Sequence, residues 1–292
     1  MSAPAFGLLS YPGIANLGDP MQSLAARRFL PRVDALVERE RISQPPPGGH
    51  ERLRVILNGW FMHDANYWPP HPLIEPLPLA MHFVEPGRSR LRRWAKSPLE
   101  RMMTGAGADW LRQWGPIGAR DLFTAEQLEA RGIPAWHSGC LTLTLPRPEG
   151  APAHGRIVAC DLPARALEAL RRASPHPVEA VTHEGGEGLS VDAQMAAAQG
   201  LLERYAGAAC VVTTRIHAAM PCLAIGTPVL LLVPGSAGRR VRDQLGLMHH
   251  CDEGDFVAGR CDYDLRDPPP NPQAHLKLAA ELELRARAFV SR

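Results

Sequence analysis

The sequence predicts an α/β protein with two Rossmann-like domains that face each other across a cleft, each a parallel sheet with crossover helices. Two observations support this class. Short apolar runs alternate with helical patterns along the chain, which is typical of parallel sheets whose strands are joined by helices. The chain also has 292 residues, 45% of them hydrophobic, which suits two domains of roughly 150 residues better than one small core.

The first half of the chain contains four apolar runs that are expected to form strands, at residues 5–11, 54–58, 78–84 and 134–137. Thr124 and Gln127 have the spacing of a capping box, which predicts that a helix begins at this point. Residues 146–152 are rich in proline and poor in apolar side chains, so they are expected to form a linker.

After the linker, the same alternation starts again. Strands are predicted at residues 156–161, 178–182, 209–213 and 228–233. Ser190 is expected to cap one helix, and another is expected to begin at Ile216. The predicted domain ranges are 1–147 for the N-terminal domain, 153–270 for the C-terminal domain, and 271–292 for a C-terminal helix that is able to pack back on the N-terminal domain.

The composition excludes several classes of function. Lysine and arginine total 32 against 30 acidic residues, so no overall field points to nucleic acid. The six cysteines include no CxxC pair, which favours a reduced, cytoplasmic protein. No stretch approaches the roughly 20 apolar residues of a membrane span. The arginine-rich runs 88–93 and 239–242 are typical of solvated helix faces, with an anionic ligand or a membrane surface as the alternative, so at most peripheral membrane contact is expected.

The strongest candidate site lies at the end of the predicted strand 209–213. This strand ends in Thr213 and Thr214, and Arg215 and His217 follow where a helix begins. A helix N-terminus with a fixed guanidinium is a ready site for a phosphate or carboxylate, and a histidine can exchange a proton near neutral pH. The segment therefore predicts chemistry on a small anionic substrate; the alternative is a surface arginine beside a capping histidine.

Two further candidates are weaker by themselves. Residues 16–19 (Asn-Leu-Gly-Asp) follow the first predicted strand, at the corresponding edge of the first domain, where Gly18 permits close approach of the backbone. The alternative is a simple capped turn. Arg120 is placed to clamp a carboxylate or phosphate with both arms of its guanidinium, or to form a surface ion pair.

A third strand exit is rich in aromatic and polar residues. Asn58, Trp60 and His63 combine aromatic faces with hydrogen-bonding groups, which suits a sugar ring as well as it suits a packed loop. Neither a metal ion nor a cofactor is expected. Asp262 and Asp264 have the spacing of a metal–nucleotide clamp, but they stand in a proline-rich loop where turn chemistry is favoured.

Together, several segments resemble the polysaccharide pyruvyl transferase family. They are residues 16–19, 118–124 (Gly-Ala-Arg-Asp-Leu-Phe-Thr), 138–143 (Ser-Gly-Cys-Leu-Thr-Leu), 213–217 (Thr-Thr-Arg-Ile-His) and 226–229 (Gly-Thr-Pro-Val). Residues 58–60 (Asn-Gly-Trp) make the chain most similar to one branch of that family. Each segment is weak alone, whereas their order and spacing cover most of the chain.

The resemblance implies a two-domain fold similar to GT-B glycosyltransferases. It also implies metal-independent transfer of a pyruvyl group from phosphoenolpyruvate to a sugar as a ketal, in the biosynthesis of an exopolysaccharide or other glycoconjugate. The acceptor would be a sugar or glycan, with nucleotide-linked and lipid-linked forms both open.

By this likeness, Arg120, Arg215 and His217 contact the donor. Thr214, Asn16 and Gly18 are further candidates for binding the donor. His217 is the candidate general acid and the two arginines the phosphate and carboxylate ligands. Asp19 and Asp161 are candidate bases, and Asn58, Trp60 and His63 are candidates for binding the acceptor.

Two other functions remain open from the sequence. A GT-B-type glycosyltransferase would use the same architecture with a nucleotide-sugar donor. A non-catalytic sugar-binding relative would keep the fold alone, although the presence of both Arg215 and His217 argues against this.

Overall fold

The computed structural model describes residues 4–83 and 97–292. The chain divides into two compact units. Unit 1 comprises Met1–Pro12, Ala25–Leu141 and Glu281–Arg292, and unit 2 comprises Gly13–Leu24 and Thr142–Ala280. The arginine-rich run 88–93 lies outside the described residues, so the membrane contact that it suggested stays a prediction.

Unit 1 contains a six-stranded parallel sheet in the order β2-β1-β3-β4-β5-β6. Its strands are β1 (Ala5–Ser10), β2 (Ala35–Glu38), β3 (Leu53–Phe61), β4 (Ile74–Phe83), β5 (Ile117–Ala119) and β6 (Ala135–His137). Because β1 has β2 on one side and β3 on the other, the direction of winding reverses between β1 and β3.

Unit 2 contains a five-stranded parallel sheet in the order β11-β10-β9-β7-β8. Its strands are β7 (Ile157–Cys160), β8 (Val178–Val181), β9 (Cys210–Thr213), β10 (Val229–Val233) and β11 (His249–Asp252). The winding reverses between β7 and β9, so both sheets have the doubly wound order of nucleotide-binding folds.

Helices connect most of the successive strands, which confirms the predicted α/β class with parallel sheets and crossover helices. The α-helices of the described residues are α1 (Gly18–Arg27), α2 (Pro98–Met102), α3 (Gly105–Trp114), α4 (Leu122–Glu129), α5 (Ala164–Ala173), α6 (Val191–Gly207), α7 (Ile216–Ile225), α8 (Arg239–Arg242), α9 (Glu253–Val257) and α10 (His275–Val290). None of them combines the length and the apolar character that crossing a membrane requires.

The cores explain which strands were predictable. In unit 2, every residue of β7, β9 and β10 is buried, as expected for central parallel strands covered on both faces. The edge strand β11 alternates half-buried and exposed residues. Central strands therefore appear as apolar runs, whereas β11 (His-His-Cys-Asp) carries no apolar pattern and was not predicted.

The two predicted helix caps had different outcomes. Ser190 caps α6, because its Oγ accepts the N–H of Ala193 at 3.2 Å. The prediction that Thr124 and Gln127 form a capping box was wrong. Helix α4 begins at Leu122, and Asp121 caps it by accepting the Thr124 N–H at 2.9 Å. Thr124 lies inside the helix, where its hydroxyl accepts a hydrogen bond from the main chain of β4 instead.

Candidate active site

The polar residues of unit 2 gather where its winding reverses. Asp161 directly follows β7, and Thr214 and Arg215 directly follow β9, which is paired with β7. The carboxyl ends of parallel strands meet at one edge of the sheet, and ligands of doubly wound folds bind in the crevice at the reversal point. The predicted strand-exit site therefore lies at the position in the fold where a ligand is expected.

Two carboxylates hold the guanidinium of Arg215. Its Nε donates to Asp161 Oδ2 at 3.0 Å, and its Nη2 donates to Glu184 Oε1 at 2.5 Å. Burial alone would lower the pKa of Arg215, but the contacts with Glu184 and Asp161 raise it above its ordinary value. The side chain is 35% exposed, so a permanently charged cation is held in a fixed position within reach of solvent.

Asp161 has an unusual backbone and a crowded carboxylate. Its φ of 50° lies in the left-handed region, which is uncommon for a residue with a side chain, although aspartate adopts it more readily than most. Its Oδ2 also accepts the N–H of His183 at 3.0 Å. Burial opposes ionisation, but hydrogen bonds from Thr182 and His183 and the charge of Arg215 hold the pKa of Asp161 below its usual value.

The two threonines at the end of β9 tie this strand to β7. Thr213 Oγ1 donates to the carbonyl of Cys160 at 3.1 Å, and Thr214 Oγ1 donates to the carbonyl of Asp161 at 2.9 Å. Thr213 Oγ1 also accepts the N–H of Arg215 at 2.9 Å. These bonds fix the backbone from which the Arg215 side chain leaves the sheet.

Helix α7 begins immediately after Arg215, which occupies its N-cap position. The carbonyl of Arg215 accepts the N–H of Ala219 at 3.0 Å, so the helical ladder starts at this residue. The first N–H groups of a helix have no partner within it and favour anions. His217 is the second residue of α7, which places its imidazole in the first turn, as predicted.

Residues 16–19 form a loop that runs into the first two residues of α1; this loop belongs to unit 2 and lies against His217. A β-carbon on Gly18 would stand 2.6 Å from Nδ1 of His217, so the backbone of the loop contacts the imidazole directly. Asn16 Oδ1 accepts the N–H of Gly18 at 3.0 Å, and Asp19 Oδ1 accepts a hydrogen bond from Gln22 at 3.0 Å. The fold therefore brings the loop at residues 16–19 into contact with His217, which is far from it in the sequence.

Main-chain hydrogen bonds hold this loop in place. The N–H of Leu17 donates to the carbonyl of His183 at 2.7 Å, and the N–H of Gly186 donates to the carbonyl of Ala15 at 2.7 Å. Because the N–H of His183 also binds Asp161, one peptide segment after β8 positions both the loop and the carboxylate.

His183 itself is fully buried, and its Nε2 lies 2.7 Å from the hydroxyl of Tyr205. Burial, with a smaller effect of the nearby Arg215 charge, lowers the pKa of His183 to about 4, against the opposing effect of Asp161. His183 is therefore neutral at physiological pH. It supports the site through its main-chain hydrogen bonds, and its buried side chain is not positioned to donate a proton to a ligand.

Arg120 belongs to unit 1, where it directly follows β5 and is 3% exposed. Its N–H donates to the carbonyl of Met81 at 2.8 Å. The next residue, Asp121, caps α4 and lies 2.5 Å from Nδ1 of His82. Burial opposes ionisation of Asp121, but His82 and Arg120 hold its pKa below the usual value. A cation and a buried imidazole–carboxylate pair thus lie at the carboxyl edge of this sheet.

The predicted acceptor residues of unit 1 lie on β3 and just after it. The Trp60 and His63 rings contact each other edge to face, with centroids 4.0 Å apart. The guanidinium carbon of the buried Arg39 lies 5.0 Å from the Trp60 centroid and 4.7 Å from that of Tyr11. Asn58 is fully buried, and its carbonyl accepts the Tyr11 hydroxyl at 3.3 Å. The cluster lies where the winding of this sheet reverses.

Glu40 completes this cluster. Its Oε1 lies 2.8 Å from Arg39 Nη2 and 3.1 Å from His63 Nδ1. Burial opposes ionisation, but Arg39 and His63 hold the pKa of Glu40 below its usual value. No group of three or more His, Cys, Asp or Glu residues within 4–83 and 97–292 is arranged to hold a metal ion.

A family model described as polysaccharide pyruvyl transferase matches residues 16–236, which include the loop at 16–19, Arg120, Arg215 and His217. The chain belongs to the polysaccharide pyruvyl transferase family. The predicted family is therefore confirmed, whereas the branch marked by residues 58–60 stays a prediction. No curated protein matches the chain significantly.

Four residues of the candidate sites in this pyruvyl transferase family member were not predicted from the sequence. His183 and Glu184 directly follow the predicted strand 178–182, and the same strand-exit argument that selected Arg215 would have selected them. Arg39 and Glu40 follow β2, which was not predicted, so no signal pointed to them.

Proposed function

We propose that this chain transfers a pyruvyl group from phosphoenolpyruvate to two hydroxyls of a sugar, forming a ketal on a polysaccharide or glycoconjugate. Family membership supports pyruvyl transfer as the class of reaction. The observation that carries the proposal is the grouping of Arg215, His217 and the loop at residues 16–19 at the reversal point of the unit 2 sheet.

This grouping fits the charge of the donor. Phosphoenolpyruvate carries a phosphate and a carboxylate on one small enol. Arg215 supplies a cation that is already oriented by Asp161, and the first turn of α7 supplies N–H donors beside it. In this proposal Arg120 is the second guanidinium for the donor. Thr214, Asn16 and Gly18 are its further contacts.

The proposed reaction gives each of these groups a role. His217 protonates the methylene carbon of the donor, and C2 becomes an oxocarbenium centre. One sugar hydroxyl forms a bond to C2, the bond from C2 to the phosphate oxygen breaks, and a second hydroxyl closes the ketal. Of the two hydroxyl protons, one replaces the proton given by His217 and the other leaves with phosphate or the base. Arg215 stabilises the charge on the departing phosphate.

The two candidate bases differ in their surroundings. The Asp161 carboxylate is engaged by Arg215 and by the His183 N–H, which favours a role in orienting the arginine. Asp19 directly follows Gly18, whose backbone contacts the His217 imidazole, and its Oδ1 accepts a hydrogen bond from Gln22. Because its neighbour contacts the proposed general acid, we assign proton acceptance first to Asp19, with Asp161 as the positioning residue.

Asn58, Trp60 and His63 remain the proposed acceptor residues. The aromatic ring of Trp60 and the Glu40-bound imidazole of His63 combine an apolar face with polar groups, a combination that suits a sugar. His63 is 64% exposed and therefore reaches solvent. Asn58 is fully buried and its carbonyl accepts the Tyr11 hydroxyl, so its proposed part in the acceptor site is to hold Tyr11 against β3.

The test is phosphate release from phosphoenolpyruvate in the presence of free, nucleotide-linked and lipid-linked saccharides, with mass spectrometry of the product for a pyruvate ketal. His217→Asn should keep the fold and lower turnover about 100-fold, the usual scale for a general acid. His250→Asn is the matched control, because His250 is exposed on the edge strand β11.

Turnover in His217→Asn that equals the wild type would remove His217 from the mechanism. Stabilisation of the protein by a nucleotide sugar but not by phosphoenolpyruvate, with no phosphate release, would contradict the proposed reaction.

A further inference from the structure

The two carboxylates that hold Arg215 differ in how firmly they are fixed. The Asp161 side chain is 13% exposed and also accepts the N–H of His183. The Glu184 side chain is 51% exposed, and its carboxylate is ion-paired with Arg215. Asp161 is therefore part of the framework, whereas Glu184 occupies the outer side of the guanidinium and faces solvent.

The Glu184 side chain can leave Arg215 without breaking the main-chain hydrogen bonds on either side of it. On one side, the N–H of His183 binds Asp161; on the other, the N–H of Gly186 binds Ala15. Only Glu184 and Gly185 lie between these fixed points. Gly185 has a φ of 124°, which glycine alone adopts easily, and the space beside it is open. Rotation of the Glu184 side chain into solvent leaves both anchors intact.

We propose that Glu184 is an internal competitor for small anionic ligands at Arg215. Its carboxylate takes the Nη2 position that a phosphate or carboxylate of an incoming ligand would take, and it swings into solvent when that ligand binds. Glu184 thus sets the affinity of the site for its anion. The identity of the anion as phosphoenolpyruvate rests on the proposed function, whereas the competition itself does not.

The charge around Arg215 gives the expected direction. With both carboxylates in place, one cation faces two anions, so a further anion meets a net negative site until Glu184 withdraws. Glu184→Gln keeps the shape of the side chain and removes its charge. Because partly exposed ion pairs are weak, the gain in anion affinity should be roughly two- to fivefold.

Isothermal titration with inorganic phosphate, and separately with phosphoenolpyruvate, tests this at constant ionic strength. Glu184→Gln should bind both ligands roughly two- to fivefold more tightly than the wild type. Glu187→Gln is the matched control, because it removes one exposed charge from the same loop, and it should bind like the wild type. In the background of Arg215→Ala, Glu184→Gln should give no gain.

Equal or weaker phosphate binding by Glu184→Gln would overturn the proposal, as would a gain that persists without Arg215. The proposal would also be overturned if neither the wild type nor any of these variants bound phosphate. The two ligands separate this inference from the proposed function. Tighter phosphate binding without any binding of phosphoenolpyruvate would leave the competition standing and contradict the proposed donor. Equal binding of phosphoenolpyruvate by the wild type and Glu184→Gln would support the proposed donor and contradict the competition.

Discussion

Gly18 and His217 are in such close contact that no side chain fits between them. A β-carbon on Gly18 would lie 2.6 Å from Nδ1 and 3.0 Å from Cβ of His217, and 3.1 Å from Oδ1 of Asn16. The backbone of Gly18 does not lie in the left-handed region, so the requirement for glycine here is one of space. The position of the imidazole is therefore set partly by the loop at residues 16–19.

Gly18→Ala should displace the His217 imidazole or the loop by up to about an ångström, because the new methyl group cannot occupy the space that both now fill. A displacement of that size in a catalytic group lowers turnover by roughly 100-fold. Steady-state turnover with phosphoenolpyruvate and the acceptor measures the loss, and circular dichroism shows whether the fold is kept.

Gly200→Ala is the matched control for this variant. Gly200 lies in the interior of α6, and no atom stands within 4 Å of the β-carbon position. This change should leave turnover unaltered and stabilise the protein by about 0.5–1 kcal/mol, because alanine has the higher helix propensity. Wild-type turnover in Gly18→Ala would show that the contact with His217 does not matter to the reaction.

The contact between Gly18 and His217 also shows what sequence patterns can predict. Apolar runs such as β9 and β10 could be found because central parallel strands are buried on both faces. Strand exits then pointed to Arg215, Asp161 and residues 16–19. Which exits meet could not be predicted, because the Leu17–His183 and Gly18–His217 contacts join segments that are distant in the chain.

Other parts of the structure left no pattern to detect. Strand β5 has three residues, which is too short for a periodicity, and the partly exposed β11 consists of polar residues and a cysteine. The cap of α4 was assigned to Thr124 because local spacing fits a capping box, whereas the buried Asp121 takes the role through its pairing with His82. Tertiary contacts decided between two locally acceptable caps.

Arg215→Lys should weaken binding of phosphoenolpyruvate about tenfold or more, since hydrogen bonds to charged groups are worth about 1.5–3 kcal/mol. One ammonium nitrogen cannot reproduce the separate bonds that Nε and Nη2 make to Asp161 and Glu184, so the cation loses its fixed orientation. Isothermal titration measures the change.

Arg204→Lys serves as the control for this substitution. Arg204 pairs with Glu179 at 3.3 Å and is 57% exposed, so lysine should replace it without effect on the donor. Equal affinity for phosphoenolpyruvate in the Arg215→Lys protein and the wild type would show that the fixed orientation of the Arg215 guanidinium does not contribute to donor binding.

The buried His183 should make the stability of unit 2 depend on pH. Its folded-state pKa is lowered to about 4 from an ordinary value of 6.5, mainly by burial. Between these values the unfolded chain binds a proton that the folded chain does not. Stability is therefore complete above about pH 6.5 and falls by about 3 kcal/mol as the pH drops toward 4.

Urea denaturation followed by circular dichroism from pH 7 to pH 4 checks this expectation. In His183→Gln the part of the decline that belongs to His183 should disappear, because glutamine does not titrate and can still bind the Tyr205 hydroxyl. His250→Gln, at an exposed position, should keep the wild-type profile. Parallel profiles for wild type and His183→Gln would show that the imidazole is not held neutral in the fold.

Asp121 should be the most sensitive acidic residue of unit 1. It is fully buried, pairs with His82 at 2.5 Å, and caps α4 through the Thr124 N–H. Asp121→Ala leaves the buried His82 without its carboxylate and the helix without its cap, so the free energy of unfolding should fall by about 3–5 kcal/mol. Asp109→Ala is the comparison, because Asp109 is 76% exposed in its pair with Arg112 and should change stability little. If urea denaturation gives similar small losses for both variants, the His82–Asp121 pair does not stabilise the edge of the sheet from which Arg120 extends.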